Sequence, residues 1–367
     1  MSLSITGVPL HTRSLTSVAS LREDGRWSIR GEVIDLRKCG FVPMTHDIQP
    51  SGIIHHMTIE MVVDPGTLRI DELVTAQPHV AVEASARTNG ECCRDPAPLL
   101  QVLEGEIIDD DFTRKLSRTF GGPLGCSHLL TLFFMMAAAI PRAVAREAEI
   151  RLEHDESRAP GERLFWRSIF VDGYEIDDGG VEFSVQLSDV HSHPHHAVQS
   201  PLDRLDRQEE ARVIARVEPP GFSVAQLRAA RRTRRMPNLA DAVWEDCSEV
   251  LAPLIGFPVV PGLSRRVREL LQGDEANLLV RDALLQLAPG HIQVLAAITE
   301  RWFAPSRKLK SRAKGSNGDK HPAGGPPVGA IGGMVDSCYL WRTGSPLIAE
   351  RERVMRLRPE REAESSE

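Results

Sequence analysis

The sequence predicts an α+β fold: two tandem copies of an antiparallel β-meander, each followed by helices, packed about a pseudo-twofold axis. Two observations carry the class. Apolar and polar residues alternate in hairpin-like pairs in both halves, and the spacing turns helical after residue 95. A third carries the tandem arrangement. "RSLTSVASLREDGRWSIRGEVID" (13–35) lies over "RSIFVDGYEIDDGGVEFSVQLSD" (167–189) without a gap.

In that alignment Arg13 meets Arg167, Asp24-Gly25 meets Asp178-Gly179, and Asp35 meets Asp189. The same offset of 154 carries Leu73 onto Leu227 and Cys93 onto Cys247. A three-residue shift then brings Gly105 onto Gly256, Arg114 onto Arg265 and Gly122 onto Gly273. A register held over about 110 residues points to a duplication.

Each element has its own local reason. Asp24-Gly25 joins two alternating segments and is a good hairpin turn. "HHMTIEMVVDPGTLRIDELV" gives a second pair around Asp64-Pro65-Gly66, with Met57, Ile59, Met61 and Val63 on one face. Helical spacing follows through Leu99, Leu100, Leu103, Phe112, Leu116 and Phe120. The apolar run Leu129 to Ile140 is shorter than the roughly 20 residues that span a bilayer, so a buried helix is expected. The expected divisions are a first repeat at 10–150 carrying the chemistry and a second, degenerate repeat at 163–304. A flexible, basic Gly/Pro-rich loop follows at 305–333, then a C-terminal motif and charged tail at 334–367.

Composition narrows the function classes. Hydrophobic residues make up 41% and charged residues 26% of 367, ordinary for a soluble globular chain. A net charge of -7 and 5% aromatics argue against nucleic-acid binding. No secretion signal is read at the N-terminus, so the six cysteines are expected as reduced thiols in the cytoplasm. The expected partner is a small-molecule substrate, with no membrane and with homo-oligomerisation open. Walker-type, GxSxG, HExxH and GxGxxG motifs are missing.

"GGPLGCSHLL" places Cys126 and His128 at the mouth of the apolar run. In a regular helix residues two apart diverge, so both reach one site only if the glycines keep the chain irregular until about Ser127, a sensible N-cap. Three readings stay open. Cys126, His128 and His56, with Cys93 or Cys338, form a zinc site; Cys126 is an activated thiol; or both are packing. Between the halves, His56 falls opposite Glu210, Cys126 opposite Asn277 and His128 opposite Leu279, which puts one working site in the first half. Cys93 and Asp35 recur as Cys247 and Asp189 and so read as scaffold. On the strand, His55 shares a face with Met57 and Ile59, and His56 faces the side of Thr58 and Glu60; the pattern leaves either open. "HSHPHH" (191–196) reads as a surface loop with incidental metal affinity, and Cys39 and His46 as weaker still.

"GGPLGCSHL", "IIHHM", "MVDSCYLWRTGSPL" and "DGRWSIRGEVIDLR" together resemble a bacterial domain family of unknown function with a Gly-Cys-Thr-His-Leu hallmark. The resemblance marks Asp24, Gly25, Trp27, Asp35, His56, Cys93, Gly125, Cys126, His128, Leu129 and Cys338, and it favours His56 over His55. Ser127 stands for the threonine, and Tyr339 stands where the family more often has a second Cys-His element. The resemblance implies a role in aromatic and acyl catabolism, including cleavage of lignin-derived aromatics with loss of formaldehyde. The expected function is therefore a lyase or hydrolase with His56, His128 and Cys126 as catalytic groups and zinc as the candidate cofactor. The alternative is a non-catalytic ligand-binding or accessory protein with a structural Cys/His or zinc site.

Overall fold

Strand β1 (Val8–Leu21) buries Leu15, Ser17, Ala19 and Leu21 and leaves Ser14, Thr16 and Val18 half-buried, the alternation of a sheet covered on one face. It turns through Gly25, whose φ of 80° suits glycine, into β2 (Trp27–Arg37). A short ribbon of β3 (Val42–Met44) and β4 (Asp47–Gln49) leads to β5 (Gly52–Val63), and the Asp64–Gly66 turn leads to β6 (Ile70–His79). The computed structural model describes residues 7–44, 47–154, 158–176, 179–195, 200–219, 221–236, 239–298 and 333–353.

The later strands are β7 (Arg163–Glu175), β8 (Val181–Ser192), β9 (Leu205–Glu218), β10 (Ser223–Arg235) and the two-residue β11 (Glu245–Asp246). One nine-stranded antiparallel sheet results, in the order β11-β10-β9-β8-β7-β1-β2-β5-β6. At its centre β1 pairs with β7, with Leu15 opposite Ile169. Helices α1 (Phe112–Phe120), α2 (Ser127–His154), α3 (Leu263–Leu270), α4 (Leu278–Leu284) and α5 (Leu287–Ala297) complete the described regular elements. Helix α2 lies on β2, β5, β7 and β8, α5 on β1 and β7, and α4 on β8, β9 and β10. The fold is thus α+β with a large antiparallel sheet and one shared core.

Two elements differ from the sequence expectation. The stretch around Leu99–Leu103 is a 3-10 turn, Ala97–Leu103, entered and left through three-residue hydrogen bonds from the Leu99 N–H to the Pro96 carbonyl and from the Glu104 N–H to the Gln101 carbonyl. Helix α2 runs for 28 residues, well beyond Ile140 and through Pro141. Past that point it is amphipathic rather than apolar, burying Ala143, Glu147 and Ile150, so the apolar run marks only its first half. By length and composition α2 could cross a membrane, and 56% of its most apolar window is buried in this fold. The tail from 354, His46, His196 and all of the expected 305–333 loop except Gly333 lie outside the described residues.

Candidate metal centre

The inward face of β2 carries Val33, Asp35 and Arg37. Sheet register then builds a row across three strands: Asp35 is opposite Arg13 on β1 and opposite His55 on β5. His11, two residues before Arg13 on β1, adds a second titratable ring to this buried patch.

The third comes from α2. Gly125 makes its approach possible, since a Cβ there would strike the Phe120 carbonyl. The Leu130 N–H donates to the Cys126 carbonyl, so Cys126 occupies the flanking position expected for Ser127, and the regular helix starts with Ser127. His128, one residue into the helix, drops onto the sheet beside Asp35.

Four side chains converge on one carboxylate. His128 Nε2 lies 3.0 Å from Asp35 Oδ2, and His55 Nδ1 lies 3.5 Å from the same oxygen. His11 Nε2 is 3.5 Å and Arg13 Nε 3.9 Å from Oδ1. The His55 and His128 rings stack with centroids 3.7 Å apart. Yet neither Asp35 oxygen, nor His55 Nδ1, nor His11 Nε2 makes an aligned hydrogen bond. Buried polar atoms are normally satisfied. Ligand atoms of Asp35, His55 and His128 lie within 4.8 Å of one another, the one such group among the described residues.

Electrostatics keep these groups in ligand form. Burial pushes His128 down to about 3 and His11 down to about 4, and burial lowers His55 too, so the imidazoles are neutral. Burial alone would raise Asp35, but the neighbouring Arg13 charge holds it well below the usual carboxylate range. Gln293 of α5 puts its amide nitrogen 3.0 Å from His128 Nε2. An amide nitrogen only donates, so that ring nitrogen carries its lone pair beside Asp35. His128 Nδ1 faces Cys126 Sγ at 3.9 Å.

A cavity of about 120 Å³ opens onto His55 and His128. Arg37, Gln49 and Gln293 are among its other polar groups, with Ser127, Ser337 and Tyr339, and Ile54, Val82, Ile292 and Leu340 form its apolar wall. The C-terminal segment covers it: the Tyr339 N–H donates to the Gly125 carbonyl at 2.8 Å, and Arg342 bonds Glu91. Cys93, Cys126 and Cys338 all line this cavity. Burial raises all three thiols, Cys126 to about 12, so none is an activated thiolate.

His128 and Cys126 are thus where the sequence placed them, and Cys93 and Cys338 are near them. His56 is not brought to the site. It points to the opposite face of the sheet, 30% exposed, with Nε2 2.7 Å from Glu32 Oε1. Strand alternation is the reason: successive residues of β5 face opposite sides, and His55 takes the inward one. Asp35, read as scaffold because Asp189 matches it, is the centre of the cluster. His11, Arg13, Arg37 and Gln293 carry no motif; the shared face of His55 with Met57 was the one available signal. In "HSHPHH", His191 is not in a loop but buried on β8 against Phe165, because the strand extends to Ser192.

A second buried ionic cluster lies between β7, β8 and α4. Arg167 donates to Asp189 through Nε (2.7 Å) and Nη2 (2.6 Å) and to Asp282 through Nη1 (2.9 Å). There the ion pairs are also hydrogen-bonded; at Asp35 the Arg13 pair is not. No curated protein and no solved structure matches the chain. Residues 11–141, which hold His11, Arg13, Asp35, Arg37, His55, Cys126 and His128, match a family described as a protein of unknown function (DUF2889).

Proposed function

We propose that this protein is an enzyme of small-molecule breakdown, a lyase or hydrolase, working at a divalent metal held by Asp35, His55 and His128. The observation that carries the reading is the buried carboxylate whose oxygens, like the facing His55 nitrogen, have no hydrogen-bond partner. Two neutral imidazoles and one carboxylate are a ligand set used by zinc and by ferrous iron in catalytic sites with open positions. Such an ion polarises a substrate oxygen or a water.

The chain's own residues do the rest. Arg13 keeps Asp35 ionised, Gln293 holds His128 in the tautomer that offers Nε2, and the apolar walls exclude water. The family resemblance extends the proposal to aromatic substrates cleaved with loss of formaldehyde. In that reaction a hydroxyl proton is removed, the freed O–H electron pair forms the new carbonyl, and the C–C bonding pair stays on the remaining carbon, which takes up a proton. A Cys126–His128–Asp35 relay is a second reading favoured by the 3.9 Å and 3.0 Å contacts of His128, but the raised Cys126 thiol opposes it.

A duplication underlies this arrangement. It is supported by the β1–β7 ladder, where Leu15 pairs with Ile169, the residue 154 positions later. The same ungapped offset sets His55 against Glu209 and His128 against Asp282, in place of the shifted pairing of His128 with Leu279. In this view the second half replaced ligands with acids and closed its cluster on Arg167.

The test is metal content of untagged protein purified without chelator. About one zinc or iron per chain is expected, lost in His55→Ala and in His128→Ala and kept in His56→Ala. Metal-free wild type that also takes up neither added zinc nor ferrous iron would remove the proposal.

A further inference from the structure

Arg37 follows Asp35 by two residues on the inward face of β2, about 7 Å along the strand, and it lines the cavity. It is 2% exposed. Its Nη1 and Nη2 donate to Gln49, at 2.8 Å to the backbone oxygen and 3.0 Å to Oε1. Gln49 is itself tied down by its amide, which donates to the Ala81 carbonyl at 3.2 Å. This occupies the end of the guanidinium and leaves the other edge: Nε is buried without a partner.

That edge is the one buried arginines of this protein use for carboxylates. Arg158 grips Glu147 through Nε and Nη2, both at 2.6 Å, and Arg167 grips Asp189 in the same way. Arg37 pairs with no carboxylate among the described residues. Asp35 attracts it from along the strand but is engaged by Arg13, and burial draws Arg37 down to about 10. Among the described residues the cavity wall contains no Asp or Glu. Arg13 and Arg37 against Asp35 alone leave a buried positive charge, and a divalent metal would enlarge it. A buried uncompensated charge is costly, so the site gains by taking up an anion.

We infer that Arg37 is the anchor for a substrate carboxylate, so that the cavity takes small organic acids with the reacting carbon held toward His55 and His128. As a statement about substrate it rests on the cavity being the site of reaction. As a statement about binding it does not depend on a metal.

The experiment compares acetate, benzoate and phenylacetate with their uncharged amides by calorimetry and thermal shift on the full chain. Each ligand is tested with added zinc and after chelation. At least one carboxylate is expected to bind at millimolar concentration or better and to outbind its amide with and without metal. Arg37→Met is expected to weaken that binding ~10-fold or more, about 1.4 kcal/mol, while metal content stays unchanged. Three wild-type results would overturn the inference whether or not the variant folds: amides that bind as well as acids, carboxylate binding that vanishes on chelation, and inorganic phosphate binding where no carboxylate does. Undiminished carboxylate binding by folded Arg37→Met would also overturn it. Carboxylate binding without any metal uptake would sustain Arg37 as the anchor while removing the metal-enzyme reading.

Discussion

His55 and Asp35 are direct cross-strand partners, with Nδ1 3.5 Å from the carboxylate, while the next residue, His56, bonds Glu32 on the far face of the sheet. The two histidines therefore differ in what they hold. His56→Ala removes a partly exposed contact with Glu32 and is expected to change unfolding free energy by no more than about 1 kcal/mol. Urea denaturation checks this, and a loss several times larger would mean that His56 supports the core.

Arg167 is expected to be among the most costly residues to remove. Arg167→Met leaves Asp189 without its cation in the core and Asp282 with Arg142 and Arg281. Breaking a buried pair this way costs about 3–5 kcal/mol. The measurement is the shift in urea midpoint at constant slope; a shift under a third of that size would show that water or rearrangement satisfies the two acids.

Gly125→Ala tests how α2 is seated. The added Cβ meets the Phe120 carbonyl, which a rotamer change cannot move. Strain of about 1–3 kcal/mol is expected, with Cys126 and His128 displaced from the sheet. Weakened metal uptake together with lowered stability would fit; normal values of both would show that the loop gives way freely.

Stability should fall in acid, with His291 a distinct contributor. It is buried between Phe183 and Phe222, and burial lowers it from 6.5 to about 4. The unfolded chain binds this proton first as pH falls, so the stabilisation is complete above about 6.5 and is lost on the way down to about 4. The span corresponds to about 3 kcal/mol. Denaturation of wild type and His291→Leu across that window should show a shallower fall in the variant, and parallel curves would contradict the assignment.

Thiol reactivity separates metal chemistry from thiol chemistry. Cys126 is buried beside Met57 with its thiol raised to about 12. Iodoacetamide at neutral pH should leave it unmodified in the folded chain, and all six cysteines should react in urea. Rapid, selective labelling of folded Cys126 would revive the thiol relay.

Much of the local structure was readable without coordinates. Alternation and the Asp24-Gly25 and Asp64-Gly66 turns placed the first four long strands, because side-chain period and turn geometry are properties of a few neighbouring residues. The Gly-rich entry to α2 likewise located Cys126 and His128. Its helix outran the apolar run because amphipathic burial continues where composition turns charged.

The site itself was only half readable. Alternation placed His55 with the core-facing residues, yet left open which histidine mattered, since a motif two rings long says nothing about what lies opposite. Asp35 became the centre through its pairing with both Arg13 and His55, a consequence of register across three strands. Gln293 arrives 165 residues after His128, and Cys338 later still. By itself the sequence determined the long strands and hairpin turns of the first half and where a histidine and cysteine enter the core. Tertiary structure alone decided which buried charges face each other, because pairing partners distant in the chain are chosen by sheet order and helix docking, not by local periodicity.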